Sequence, residues 1–127
     1  MEAFRHALHQ LGWTGGHNLQ MDVRWAASDL ERIRKHSADL AALAPDVILG
    51  TGQSTIGPLL QAARSVPVVF VTVADPVGAG FLNSLARPGG NATGFLAFDF
   101  NISAKWLELL KEKAPNVARV GLCYGIL

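Results

Sequence analysis

The sequence predicts an α/β fold, a three-layer, mainly parallel sheet of about five strands with helices on both faces. Three observations carry this. Apolar residues recur at helical spacing in several segments, such as Phe4, Ala7, Leu8 and Leu11. Short apolar runs of strand length lie between those segments, and strands separated by helices wind into a parallel sheet. The stretch PVVFVTVADPVGAGFLNSLARPGGNATGF, Pro67 to Phe95, passes from a buried strand into a glycine-bearing loop. Open α/β sheets build ligand sites from such loops at strand carboxyl ends.

The elements follow in order. The first helix ends at Gly12, a suitable residue just past a helix C-cap. Gly15-Gly16 turns the chain. Leu19, Met21, Val23 and Trp25 alternate with Gln20, Asp22 and Arg24, which predicts a strand with one wet face near a sheet edge. Ser28-Asp29-Leu30-Glu31 has the capping-box pattern, and the helix it opens carries Leu30, Ile33, Leu40, Ala41 and Ala44 before Pro45 stops it. Asp46 to Leu49 reads as a short buried strand. After Gly50 to Thr55 comes a helix with Ile56, Leu59, Leu60 and Ala63, in whose first turn Pro58 is tolerable. Pro67 to Val73 is the next strand, followed by a loop and a short apolar helix through Phe81, Leu82 and Leu85. Gly94 to Phe98 is a further short strand. A helix capped by Asn101 or Ser103 bears Ile102, Trp106, Leu109 and Leu110, and Pro115 closes it. Arg119 to Tyr124 is a last strand.

Composition narrows the function. A chain of 127 residues fits one domain with a real core. The net charge of +1 and the dispersed basic residues argue against a nucleic-acid partner. No apolar run approaches the ~20 residues of a membrane span. Met1 leads straight into an amphipathic helix, so no signal peptide is read. Cys123 is the single cysteine and sits in an apolar strand pattern, as a buried thiol would.

Candidate chemistry concentrates in three places. In Gly50 to Thr55, glycines let a ligand approach the backbone, the next helix presents its amides, and Thr51, Ser54 and Thr55 add hydroxyls. That suits a carboxylate or a phosphate. The same residues also fit a plain βα turn capped by Ser54. Neither a P-loop nor a G-x-G-x-x-G fingerprint is present. Asp75 either accepts from a ligand ammonium or hydroxyl, or closes an Asx-turn before Pro76, and the Asx-turn is the favoured reading. Asn91, Thr93 and Gly94 fit a polar turn better than a direct ligand contact. His6, His9, His17 and His36 lack metal-ligand spacing, and no serine sits in a G-x-S-x-G context. No cofactor, metal or catalytic set is therefore expected. Trp13, Trp25 and Trp106 read as packing residues.

Four stretches carry a resemblance to a known family: FRHALHQLGWTGGHNLQMDVRWAASDLERI, ALAPDVILGTGQSTIGPLLQA, VPVVFVTVADPVGAGFLNSLARPGGNATGF and KWLELLKEKAPNVARVGLCY. They resemble the first lobe of ABC-transporter substrate-binding proteins of the tryptophan/tyrosine-uptake type, which have the type I periplasmic-binding-protein fold. The resemblance implies a solute-binding component of an importer, without catalysis, whose two lobes close on an amino-acid-like ligand and deliver it to a permease. It places ligand contacts at Thr51, Gly52, Gln53, Ser54 and Thr55 and at Val73, Ala74 and Asp75, with Asn91 and Thr93 nearer the crossover between lobes. It implies a periplasmic protein, although the chain as given lacks an export signal and would stay cytoplasmic.

Departures from the family pattern set further expectations. Residues 1–115 correspond to the N-terminal lobe without its first strand, and residues 116–127 to the first strand of the second lobe. The missing strand would leave a gap about 10 Å wide between Leu19 to Trp25 and Asp46 to Leu49. Arg119 to Tyr124 is expected to refill it, within the chain or as a swap that makes a homo-oligomer. The alternative is an inward slide of the edge strand, giving four strands. Two other functions stand beside the binding lobe. One is a small flavodoxin-like α/β domain holding a phosphate-bearing ligand at Gly50 to Thr55. The other is a non-binding fragment kept soluble by self-association.

Overall fold

Continuous apolar runs become strands here because a parallel sheet must pair its backbone while covering its side chains. The computed structural model describes residues 1–96, 102–116 and 118–119. Strands β1 (Ile48–Thr51), β2 (Val68–Val73) and β3 (Ala92–Leu96) form a parallel sheet in the order β1-β2-β3. Ile48 is level with Val68, and Val68 with Ala92. Helices α1 (Glu2–Gln10), α2 (Leu30–Ala42), α3 (Gln53–Ala62) and α4 (Ile102–Lys113) complete the elements.

One face of the sheet holds the core. Ile48, Val68, Phe70 and Ala92 point to it, and α3 covers it with Ile56, Leu59 and Ala63. Leu82, from the loop after β2, packs beside Phe70 and Val73. Helix α2 lies on α3 and contributes Leu40 and Ala41. Ser37, buried in α2, is satisfied because its hydroxyl donates to the Ile33 carbonyl at 2.8 Å. Two glycines allow close approaches, Gly50 of the sheet to α3 and Gly94 of β3 to β2. A Cβ at Gly50 would meet Ile56 and Leu59, and one at Gly94 would strike the Phe70 carbonyl and ring.

Local chemistry explains the helix ends. Helix α1 closes in a Schellman motif: the Trp13 amide donates to Leu8 at 2.9 Å and the Gly12 amide to His9 at 3.0 Å, with Gly12 at φ 89°. Helix α2 is capped by Asp29, whose carboxylate accepts from the amides of Glu31 and Arg32. The cap is thus one residue later than the expected Ser28, which takes φ 64° outside the helix. An Asp cap satisfies the first amides without a reciprocal Glu. Pro58 lies beyond the first turn of α3, since that helix begins at Gln53.

Three expectations change. The sheet has three strands among the described residues, not about five. Leu19 to Trp25 forms no strand beyond a single bridge between Gly15 and Leu19. The alternation is there, but the described residues offer that segment no partner backbone, and a strand without a partner leaves its amides and carbonyls to water. Among the described residues helices cover one sheet face, where both were expected. Leu49 and Phe95 on the other face are exposed, α1 buries none of its residues, and Trp106 on α4 is 62% exposed. The expected short helix through Phe81 and Leu85 is instead a series of turns, because Gly78, Gly80 and Pro88 interrupt any hydrogen-bond ladder. The expected strand Arg119 to Tyr124 lies outside the described residues from Val120 onward.

Asn91 ties the sheet to the end of α3. Its side-chain amide donates to the carbonyls of Ala63 and Val66, the latter at 2.7 Å. Its own carbonyl accepts from Val68 at 2.8 Å. Asn91→Ala would strand two part-buried carbonyls, and should lower unfolding free energy in a urea titration by about 2 kcal/mol.

Candidate functional site

A parallel sheet gathers all its strand carboxyl ends at one edge, so the register sorts the candidate residues before any side chain is considered. Thr51 ends β1 and Val73 ends β2. Gly52, Gln53, Ser54 and Thr55 follow Thr51 directly, and Ala74 and Asp75 follow Val73. These eight share one end of the sheet. Asn91 and Thr93 do not join them. They stand at the amino end of β3, where Ala92 pairs with Val68. At about 3.3 Å per residue, the four steps from Val69, level with Thr93, to Val73 put Thr93 roughly 13 Å away and Asn91, two residues earlier, roughly 20 Å away. Asn91 is engaged in the α3 connection, and Thr93 lies exposed on the uncovered sheet face.

The turn from β1 into α3 is built by Gly52. Its φ of 82° and ψ of 146° fall where only glycine sits comfortably. Its amide donates to the Val71 carbonyl at 3.1 Å, which pins the loop to β2. It is the N-cap of α3, and no side chain caps that helix. The expected Ser54 cap is therefore absent, while the glycine turn is present. The Thr55 amide donates to the Gly52 carbonyl at 3.2 Å. Gln53 and Ser54, whose amides stand at the positive end of the helix dipole, are exposed residues. Thr51 and Ser54 bring exposed hydroxyls, and Thr55 is half-buried.

The β2 end is shaped by a bulge. The register with β3 slips between Phe70 and Val73, and Thr72 takes φ 61°. The slip turns Val73 into the core, where it is 0% exposed beside Phe70 and Leu82. Val73, expected among the ligand contacts, thus packs its side chain inward. Thr72 and Ala74 are the exposed residues here, and Thr72 did not figure among the expected contacts. Its strand-like alternation gives no sign of the bulge in the sequence. Asp75 turns back onto its own loop, but not in the expected Asx-turn, which would bond two residues on: one carboxylate oxygen accepts from the amide of Gly78, three residues on, at 2.7 Å, and its carbonyl accepts from Ala79 at 3.1 Å. A side chain at Gly78 would collide with that carboxylate.

A separate wide groove runs between α1 and the loop after it, lined by Arg5, His6, His9, Trp13 and His17 among others. No residue of α1 is buried, so the groove is an open surface with no rigid wall. Among the described residues no group of three His, Cys, Asp or Glu gathers as metal ligands. None of the helices there is long and apolar enough to cross a membrane.

Comparison with known proteins bears on the family and the fold. The family described as ABC transporter substrate binding protein matches residues 1–126. A tyrosine-binding protein of Clostridioides difficile (strain R20291) is 28% identical over 124 residues, 98% of this chain and 35% of that protein. Among solved structures, a conserved domain protein from Vibrio cholerae is 30% identical with a TM-score of 0.76. A ligand-free, open substrate binding protein with adhesive properties from Clostridium difficile has the same identity and score. An ABC domain from Streptococcus pneumoniae in complex with L-Trp is 27% identical with a TM-score of 0.75. Each structural match covers 91% of this chain but 38% of the other, so the chain spans about a third of the length of its relatives and corresponds to one lobe.

The Gly52 turn is open to a direct test. Nothing lies within 4 Å of a Cβ built there, so Gly52→Ala meets backbone strain without a clash. It should cost about 1–3 kcal/mol in chemical denaturation. Gly90→Ala, with open space and no positive φ, should leave the midpoint unchanged.

Proposed function

Because the chain belongs to the family of ABC transporter substrate binding proteins, we propose that it supplies one wall of a binding cleft for an amino-acid-like ligand, without catalysis, on behalf of an importer and its permease. Such a protein works outside the cytoplasmic membrane. The observation that carries the reading is the uncapped start of α3 at the carboxyl end of β1. A ligand carboxylate there accepts from the amides of Gln53 and Ser54 and gains from the helix dipole. The hydroxyls of Thr51, Ser54 and Thr55 extend the polar surface. Support for an amino acid over a phosphate comes from two relatives, one named as tyrosine-binding and one solved with L-Trp. The flavodoxin-like alternative is not favoured, because the loop lacks a lysine or arginine to meet a phosphate.

A single wall binds weakly. Affinity in two-lobed binders comes from closure around the ligand, which removes it from water on both sides. The proposal also includes self-association. Phe95, 72% exposed on the uncovered sheet face, and the unburied apolar residues of α1 and α4 are apolar area that a second copy can bury.

Isothermal titration with L-tryptophan and L-tyrosine, run beside a light-scattering mass, tests both parts. The expected result is saturable heat with at least one of the two, at a Kd of roughly 1 mM, from a species heavier than one chain. Heat with inorganic phosphate but with neither amino acid would favour the phosphate reading instead.

A further inference from the structure

Strand β1 keeps one side open. The Ile48 amide donates to Pro67 and the Gly52 amide to Val71, so these residues turn their backbones towards β2. Backbone groups alternate sides along a strand, so the amides and carbonyls of Leu49 and Thr51 point away from β2. Among the described residues no backbone group meets them. β1 carries no charge, proline or bulge, the usual protections of a sheet edge. Beside this edge lies the open sheet face, with Leu49 and Phe95 exposed.

Topology ties the edge to the face. The crossover from β1 to β2 lays α3 on the covered face. A connection from β3 through α4 to a strand beyond β1 runs the other way across the sheet. Crossovers are right-handed, so this one lays its helix on the opposite face, the open one. Helix α4 suits that place. Ile102, Trp106, Leu109 and Leu110 recur at i, i+4, i+7, i+8, and all four are exposed. Its twelve residues span about 18 Å, close to the roughly 20 Å of the six-residue β2. Beyond α4, Val120 to Tyr124 reads VGLCY, apolar enough for a strand covered on both faces and as long as β1. That segment lies outside the described residues.

We propose that a second copy completes both: its α4 covers the open face and its Val120 to Tyr124 pairs along β1, each chain doing this for the other. Within one chain α4 leaves its apolar side and the sheet face exposed, so the crossover is not closed there. Exchange makes the same contacts between copies. The proposal rests on the self-association argued above and not on ligand binding.

Amide hydrogen exchange on the full chain, read by NMR beside a light-scattering mass, tests it. The species should be a dimer, with the Leu49 and Thr51 amides exchanging about a hundredfold slower than in an unfolded chain. The double variant Gly121→Pro, Leu122→Pro removes two successive donors, one of which faces β1. It should fall to the mass of one chain and lose protection at Leu49 and Thr51, while Ile48 and Gly52, bonded to β2, stay protected. Wild type mixed from labelled and unlabelled copies needs no variant: nuclear Overhauser contacts should join Leu49 of one copy to residues 120–124 of the other. A dimer with Leu49 and Thr51 unprotected, or protected equally in the double variant, overturns the exchange and leaves self-association standing. Protection at Leu49 and Thr51 in a species of one-chain mass overturns both, since the chain then closes on itself.

Discussion

The lobe depends on β2 holding a place between two parallel neighbours while burying one of its faces. Val68, Phe70 and Val73 are at most 1% exposed, and each core cluster contains at least one of them. Pairing on both sides satisfies the backbone, and the aliphatic and aromatic side chains supply most of the area removed from water. Gly94 is the counterpart of Phe70: only a residue without a Cβ lets β3 approach that carbonyl and ring. The same strand then sets the edge proposed to meet the ligand, because Val71 anchors Gly52 and the bulge after it decides which residues face outward. Core and site are consequences of one strand.

The opposite sheet face shows what this packing leaves undone. A doubly wound sheet normally hides both faces, and β1 pairs on one side only among the described residues. Leu49 and Phe95 remain open to solvent, while α1 and α4 carry apolar stripes that bury little. An arrangement with that much unmatched apolar surface gains from any partner that covers it, and a second copy carries the same complementary parts. In the solved relatives, of which this chain covers 38%, the corresponding lobe is part of a longer chain.

Much of this is legible in the amino acids. Ile48 to Thr51 and Val68 to Val73 stand out because continuous apolar runs bounded by Gly and Pro have few other uses. The βα turn at Gly52 is legible because a glycine between a buried strand and a helical stripe marks a conformation other residues avoid. The helix cap shifts from Ser28 to Asp29 because both can serve and only the backbone path chooses. Asn91 is less transparent: its pairing with Ala63 and Val66 spans 25 residues or more, and no local pattern reports a contact that distant. Thr72 is hidden for a different reason. Its alternating neighbours suggest regular strand, and a register slip depends on the fit between two strands, not on either sequence alone. Leu19 to Trp25 reads as a strand because its alternation is real, but pairing needs a second edge that the segment itself does not contain.

The central claim is that a ligand carboxylate meets the backbone at the start of α3. Amide chemical-shift mapping by NMR during titration with L-tryptophan addresses it residue by residue. The account predicts the largest shifts at the amides of Gln53 and Ser54, with those of Asn91 to Thr93 unmoved at the far end of the sheet. Shifts concentrated at Asn91 to Thr93, or along the groove beside α1, with Gln53 and Ser54 unmoved, would contradict it.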